Sequence, residues 1–322
     1  MIALSSCLHS RVHVLLLIAL IGSVGVVRAQ KPDAHITTSQ DRIAHDLQLI
    51  RIGEQQHLPP AQQAILWEQL ALEYQVGTDF QKAEDAYLRT LHLLKTAPSA
   101  KAQYASTLDN LSSLYLIYGR LDDAESARKQ AIKVRQKLGM TADNAESEVH
   151  LADIALVRHQ FKKAERLSQH GLQVMQSSLN PPRAGILSAF ITLTYARCFR
   201  GHCGEGLMNA KQAVAFADTH FQSESTAHGF ALETLGFAEW KSGAPQDGEK
   251  TMLQSIQLLR AGLSPADPRL AGALLQYQAY LVEAHRSGEA QEIREQVARM
   301  TSQAGVYCQG CVSVYTLSNT LR

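Results

Sequence analysis

Charge of one sign is what this sequence most plainly lacks: 31 lysines and arginines stand against 30 aspartates and glutamates in 322 residues. A nucleic-acid binder needs a basic stripe, and a chain held mainly on an anionic membrane surface needs a basic excess. Neither partner is expected, beyond whatever the N-terminus does. Charged residues of both signs make up only 19% of the chain against 45% hydrophobic. That is ample material for a core and little for an isolated helical surface, so part of the surface is expected to be covered by a partner.

Catalytic motifs are missing too. There is no Gly-x-Ser-x-Gly elbow, no His-Glu-x-x-His pair and no glycine-rich phosphate loop. Ser126-Ala127-Arg128-Lys129 fits the serine–x–x–lysine pattern, but the partner motifs of that chemistry are absent. Cysteine is scarce: five in all, four of them beyond residue 30. Cys198, His202 and Cys203 lie together without the two-plus-two spacing of a zinc site, so no metal is expected. The expectation is a non-enzyme with no catalytic residues and no cofactor. No strand-forming run occurs before residue 305.

What the sequence does contain is a repeat. From Leu108 to Ile132, Leu108, Leu111, Ser112 and Tyr115 recur on one face of a first helix. Gly119 then breaks the pattern. Leu121, Ala124, Arg128 and Ala131 mark one face of a second helix. The same arrangement returns around Trp67, Leu70, Ala71, Tyr74, Phe80, Ala83, Tyr87 and Leu91, and around Leu151, Ala152, Phe161, Ala164 and Gly171. It returns again around Phe190, Leu193, Thr194, Gly201, Gly206 and Ala213, and around Leu232, Leu235, Gly236, Gly243, Gly248 and Met252. A worn sixth copy shows Tyr277, Tyr280, Leu281, Gly288 and Ile293. The small residue of each second helix falls at Ala83, Ala124, Ala164, Gly206 and Gly248, at intervals of 41, 40, 42 and 42.

This spacing resembles the helix–turn–helix of the tetratricopeptide repeat, with Arg128 standing where an aromatic is usual. The interval exceeds the usual ~34 residues by about two helical turns, which predicts longer helices, not longer loops. In that respect the chain resembles the kinesin-light-chain subtype. The resemblance implies an all-α, right-handed α-solenoid of about six helix pairs.

The ends read differently. Arg11 precedes an apolar run of 16 residues, Val12 to Val27, and small residues at Val27 and Ala29 frame a cleavage point before Gln30. Residues 1–29 read as a secretory signal peptide, since about 20 apolar residues are needed to span a bilayer. Residues 30–38 read as a linker and 39–56 as a capping helix with Ser39 as its N-cap. The array is expected over 59–301, with breaks at Pro59-Pro60, Gly139, Pro181-Pro182 and Pro265 to Pro268. Residues 302–322, with Val306, Tyr307, Val312, Val314 and Tyr315, read as an extended tail.

In arrays of this kind the first helix of each pair lines a concave groove, and the resemblance implies that a partner's peptide segment lies there. The positions it would present are Asp109, Asn110 and Ser113, His150 and Asp153, Thr192 and Tyr195, and Glu233, Phe237 and Trp240. Such a wall is mildly acidic with an aromatic end and suits an apolar or weakly basic segment. The alternative for Tyr195, Phe237 and Trp240 is packing between repeats. Cys198/Cys203 and Cys308/Cys311 are candidate disulfides. The expected role is an exported, periplasmic or secreted, protein-interaction scaffold of a bacterial envelope. Two rivals stand beside it: a thiol–disulfide redox protein using Cys308 and Cys311, and an adaptor anchored by an uncleaved N-terminus.

Overall fold

The computed structural model describes residues 38–303 apart from 118 and 222–224. Among these, all regular structure is helical: thirteen α-helices and one short 3-10 turn, Pro98–Ala100, with no strand. The leader, nearly all of the linker, and the tail from 304, with Cys308 and Cys311, lie outside the described residues.

A lone helix, α1 (Ser39–Gln55), precedes six helix pairs. The pairs are α2 (Pro60–Val76) with α3 (Phe80–Lys95), α4 (Lys101–Ile117) with α5 (Leu121–Leu138), and α6 (Thr141–Val157) with α7 (Phe161–Gln176). Then follow α8 (Arg183–Phe199) with α9 (Cys203–His220), α10 (Thr226–Lys241) with α11 (Pro245–Gly262), and α12 (Pro268–Glu283) with α13 (Ser287–Gln303). The first member of each pair is called helix A and the second helix B. Every paired helix has 16 to 18 residues, so the long period is carried by helix length. The last helix runs to Gln303, two residues into the segment expected to be extended.

Local sequence accounts for the boundaries. Thr38, not Ser39, caps α1: its hydroxyl accepts from the Asp41 amide, and Asp41 accepts in return from the Thr38 amide. Proline opens α2, α11 and α12 at a position where its missing N–H costs nothing. Each A–B turn is three residues long, and its middle residue has positive φ: Thr78, Gly119, His159, Gly201, Gly243 and His285. Glycine adopts that conformation freely, whereas Thr78 and the two histidines bear a steric cost there.

Helices A and B nest where side chains vanish. Ala83, Ala124 and Ala164 are fully buried. At the fifth pair two glycines face each other: a Cβ on Gly248 would lie 2.7 Å from the Gly236 carbonyl and 2.8 Å from the Trp240 amide nitrogen. Around these contacts run the apolar cores. One gathers Phe80, Tyr87, Leu91, Leu108, Leu111 and Leu114 in the first two pairs. A larger one extends from Ala152 through Phe237 and Leu274 to Met300. Each large apolar side chain so buried contributes about 1.5–3 kcal/mol.

Successive pairs are also joined by a recurring ion pair near the A–B turns. Glu84 meets Arg120 at 2.8 Å, Glu125 meets Arg158 at 2.5 Å, Glu165 meets Arg200, and Glu249 meets Arg286 at 2.5 Å. Half-exposed pairs of this kind contribute about 1 kcal/mol or less each, so they set orientation while the core supplies stability. The junction between pairs four and five lacks the rung. Leu207 takes the glutamate position, the turn Ser242 to Ala244 carries no arginine, and Ser242 Oγ donates to the Cys203 carbonyl at 3.4 Å.

The glycine contacts make a paired prediction. Gly248→Ala drives a methyl group into two backbone atoms and is expected to lower stability by about 1–3 kcal/mol. Gly204→Ala meets nothing within 4 Å. It is expected to be neutral or slightly stabilising. Urea melts of the two variants check this.

Candidate functional site: the inner wall of the A helices

Hydrogen bonds join neighbouring A helices at four of their five junctions, which marks the A helices as one wall. Glu68 Oε1 accepts from Thr107 Oγ1 at 2.8 Å and from Asn110 Nδ2 at 3.2 Å, joining the first and second repeats. Asp109 accepts from Ser147 Oγ at 3.0 Å, joining the second and third. Asp153 accepts from Thr192 Oγ1 at 2.5 Å, joining the third and fourth. Gln276 Nε2 donates to the Glu233 carbonyl at 3.1 Å, joining the fifth and sixth.

Several residues expected in the groove therefore meet one another. Asp109 is clamped by two arginines of α5. Arg128 Nη1 lies 2.8 Å from Oδ1 and Arg135 Nη1 bonds Oδ2. Arg128 also donates to Ser113 Oγ at 3.0 Å. Thus the arginine that replaces the usual aromatic at this position buries its guanidinium and keeps a carboxylate partner. His150 Nδ1 lies 3.1 Å from Asp153 Oδ2.

The wall changes character along the array. In the first three repeats Glu68, Asn110, Ser113, Glu146, His150 and Asp153 remain partly exposed. From the fourth repeat on, the expected groove residues are core. Thr192 and Glu233 are 1% exposed, and so is Tyr195. Phe237 and Trp240 are also buried. The aromatic end of the groove is thus corrected to packing between repeats: Tyr195 and Phe237 ring centres are 4.7 Å apart, and Trp240 meets Tyr280 edge-on at 5.7 Å. The cause is close winding. Tyr195 of the fourth repeat donates to Gln276 Oε1 of the sixth at 3.0 Å, bypassing the fifth.

Charge is segregated as well. On the A helices α2, α4 and α6, seven acidic residues face one lysine. On the B helices α3, α5 and α7 the balance reverses, with eleven basic residues to six acidic. Burial raises the Glu146 carboxyl above its ordinary value. Burial also raises Glu68, against the hydrogen bonds from Thr107, Gln103 and Asn110 that pull the other way. Sequence reasoning missed both. The register held the signal for Glu68, which precedes its small residue, Ala71, by the same three positions as Asp109 precedes Ser112. Arg135 and Gln276 were missed for want of any motif.

At the end of α8, Cys198 is joined to Cys203 at the start of α9, with Cα atoms 3.9 Å apart. Gly206 makes room, since a Cβ there would lie 2.8 Å from the Cys198 sulfur. Both thiols are consumed, which removes the trio with His202 as a ligand set. Among the described residues no group of three His, Cys, Asp or Glu side chains is placed to hold a metal, and no helix is long and apolar enough to cross a membrane.

No protein-family model and no curated protein matches the sequence. Solved structures match the fold. BtubC (BKLC) from P. vanneervenii is similar at 18% identity and a TM-score of 0.56, over 70% of this chain and 92% of that one. Aspartyl phosphate phosphatase F from Bacillus subtilis is similar at 10% identity and 0.65, over 81% of this chain and 68% of that one. The Rap conjugation gene regulator of plasmid pLS20, solved in complex with the Phr* peptide, is similar at 10% and 0.59, over 89% and 83%. At such identities the likeness is one of fold. The chain has the fold of an all-helical solenoid of tetratricopeptide type.

Glu146 generates a pH prediction. The folded state holds its proton more tightly than the unfolded chain does. Glu146 therefore supports the fold below the ordinary value of 4.5 and loses that support as pH rises through its raised value. Glu146→Gln is expected to raise the melting temperature at neutral pH and to flatten the decline of stability above pH 4.5. Thermal melts from pH 4 to 8 check it; a lower melting temperature at pH 8 would contradict the assignment.

Proposed function

We propose that the chain is an exported, non-enzymatic interaction scaffold. It holds an extended, weakly basic segment of another protein against the inner wall of its first three repeats. The observation that carries this reading is the wall itself. The expected wall residues stay partly exposed in α2, α4 and α6, helices that together carry seven acids and one lysine. Beside the later A helices the expected groove residues are buried, and Tyr195 of the fourth repeat meets Gln276 of the sixth. Support from fold likeness is coarser: one structural neighbour holds the Phr* peptide, and another is a Rap protein complexed with Competence and Sporulation Factor.

A non-enzymatic role is supported by how the wall uses its polar groups. Glu68, Asp109 and Asp153 spend their oxygens on hydrogen bonds that join repeats, so they serve architecture before chemistry. The likeness to a phosphatase concerns fold, and fold alone does not carry an activity. Export is supported by the leader-like run from Val12 to Val27 and by the Cys198–Cys203 bond, a linkage typical of oxidising compartments. The redox and anchored-adaptor rivals rest on Cys308, Cys311 and the N-terminal run.

The test presents the full chain with a library of unstructured peptides. Enrichment of lysine- and arginine-bearing sequences is expected, with affinity falling about tenfold for Glu146→Lys while helicity is unchanged. Absence of a basic preference, or equal binding by the variant, would overturn the reading.

A further inference from the structure

The convex face carries the opposite charge. On the outward stripes of α3, α5 and α7, Arg89, Lys95, Lys133, Lys137, Lys162 and Arg166 are exposed, and none makes an ion pair among the described residues. Other cations of the same helices are matched: Lys82 by Asp79, Lys129 by Glu125 and Arg128 by Asp109. The unmatched six share their stripes with one exposed, unpaired acid, Asp85. The later B helices show no such bias, since Lys211, Lys250 and Arg294 there are interspersed with Asp247 and Glu292.

Two exposed leucines sit within the basic stripes. Leu88 is 46% exposed beside Arg89, and Leu138 is 41% exposed beside Lys137. Counted from Ala83 and Ala124, Leu88 and His92 on α3 fall at the positions of Lys129 and Lys133 on α5. The outward stripes of α3 and α5 thus present cations beside exposed leucines, and α7 adds Lys162 and Arg166, on the surface turned away from the peptide wall.

We infer that this convex face of the first three repeats docks on an anionic phospholipid bilayer. The cations gain from the negative surface potential, and Leu88 and Leu138 enter the headgroup boundary. The occupant is a bilayer in preference to nucleic acid because the exposed apolar side chains on these helices are leucines. A nucleic-acid surface would be expected to offer aromatic rings for stacking. A net charge near zero, which argued against a membrane partner, averages two faces that the fold keeps apart.

The experiment sediments the full chain with phosphatidylcholine vesicles and with vesicles of equal parts phosphatidylcholine and phosphatidylglycerol. The phosphatidylcholine arm measures any contribution of the apolar N-terminal run. Stronger partitioning into the anionic vesicles is expected. It should decline as salt is raised and fall about tenfold or more in the double variant Lys133→Glu, Lys137→Glu. Leu88→Ala is expected to weaken binding without altering its salt dependence. Equal binding to both vesicle types, undiminished binding by the double variant, or tighter binding of duplex DNA than of anionic vesicles would overturn the inference. Lys133 and Lys137 lie exposed on α5 and Glu146 on the wall side of α6, so peptide binding by the double variant should be intact and the two readings fail separately.

Discussion

The structure depends on how closely two helices can approach. Where a side chain is reduced to a methyl group or a hydrogen, as at Ala83, Ala124, Ala164, Gly206 and Gly248, helix B settles against helix A with almost nothing between them. That contact fixes the hairpin. Repetition of the hairpin leaves each pair one apolar face that only the next pair covers, and stacking follows from burial. The ion pairs at the turns orient neighbours but are too weak to build the array.

Close stacking has a consequence for binding. Winding is tight enough in the second half that the fourth repeat touches the sixth, and the A helices there become core. An inner surface survives only in the first half. There the wall is built from carboxylates that accept hydrogen bonds across repeats, while their balancing cations lie on the outer helices. The first three repeats thus present an acidic set of A helices and a basic set of B helices.

Much of this was legible in the chain. The forty-odd-residue return of small residues identified the hairpins and their number, and the prolines marked where helices begin. Gly119, Gly201 and Gly243 announced three of the six left-handed turns; Thr78, His159 and His285 concealed the others, because nothing in those side chains signals positive φ. Exposure along the A helices was half legible. Asp109, Asn110, Ser113, His150 and Asp153 do lie on the partly exposed wall. Thr192, Tyr195, Glu233, Phe237 and Trp240 hold equivalent positions yet are buried, since position within a repeat fixes direction but not the pitch of the spiral. Pitch arises from contacts between distant repeats, such as Tyr195 with Gln276, that no local pattern encodes. The charge segregation was present in the sequence but invisible in its sum.

Closure of the second half is the claim that confines the partly exposed inner wall to the first repeats, and a double-mutant cycle on Tyr195→Phe and Gln276→Leu measures it most directly. The account predicts a coupling of about 0.5 kcal/mol or more between the two changes, as for residues in contact. Simple additivity, with each change costing the same whether or not the other is present, would mean that the fourth and sixth repeats do not meet and that the groove runs open along its whole length.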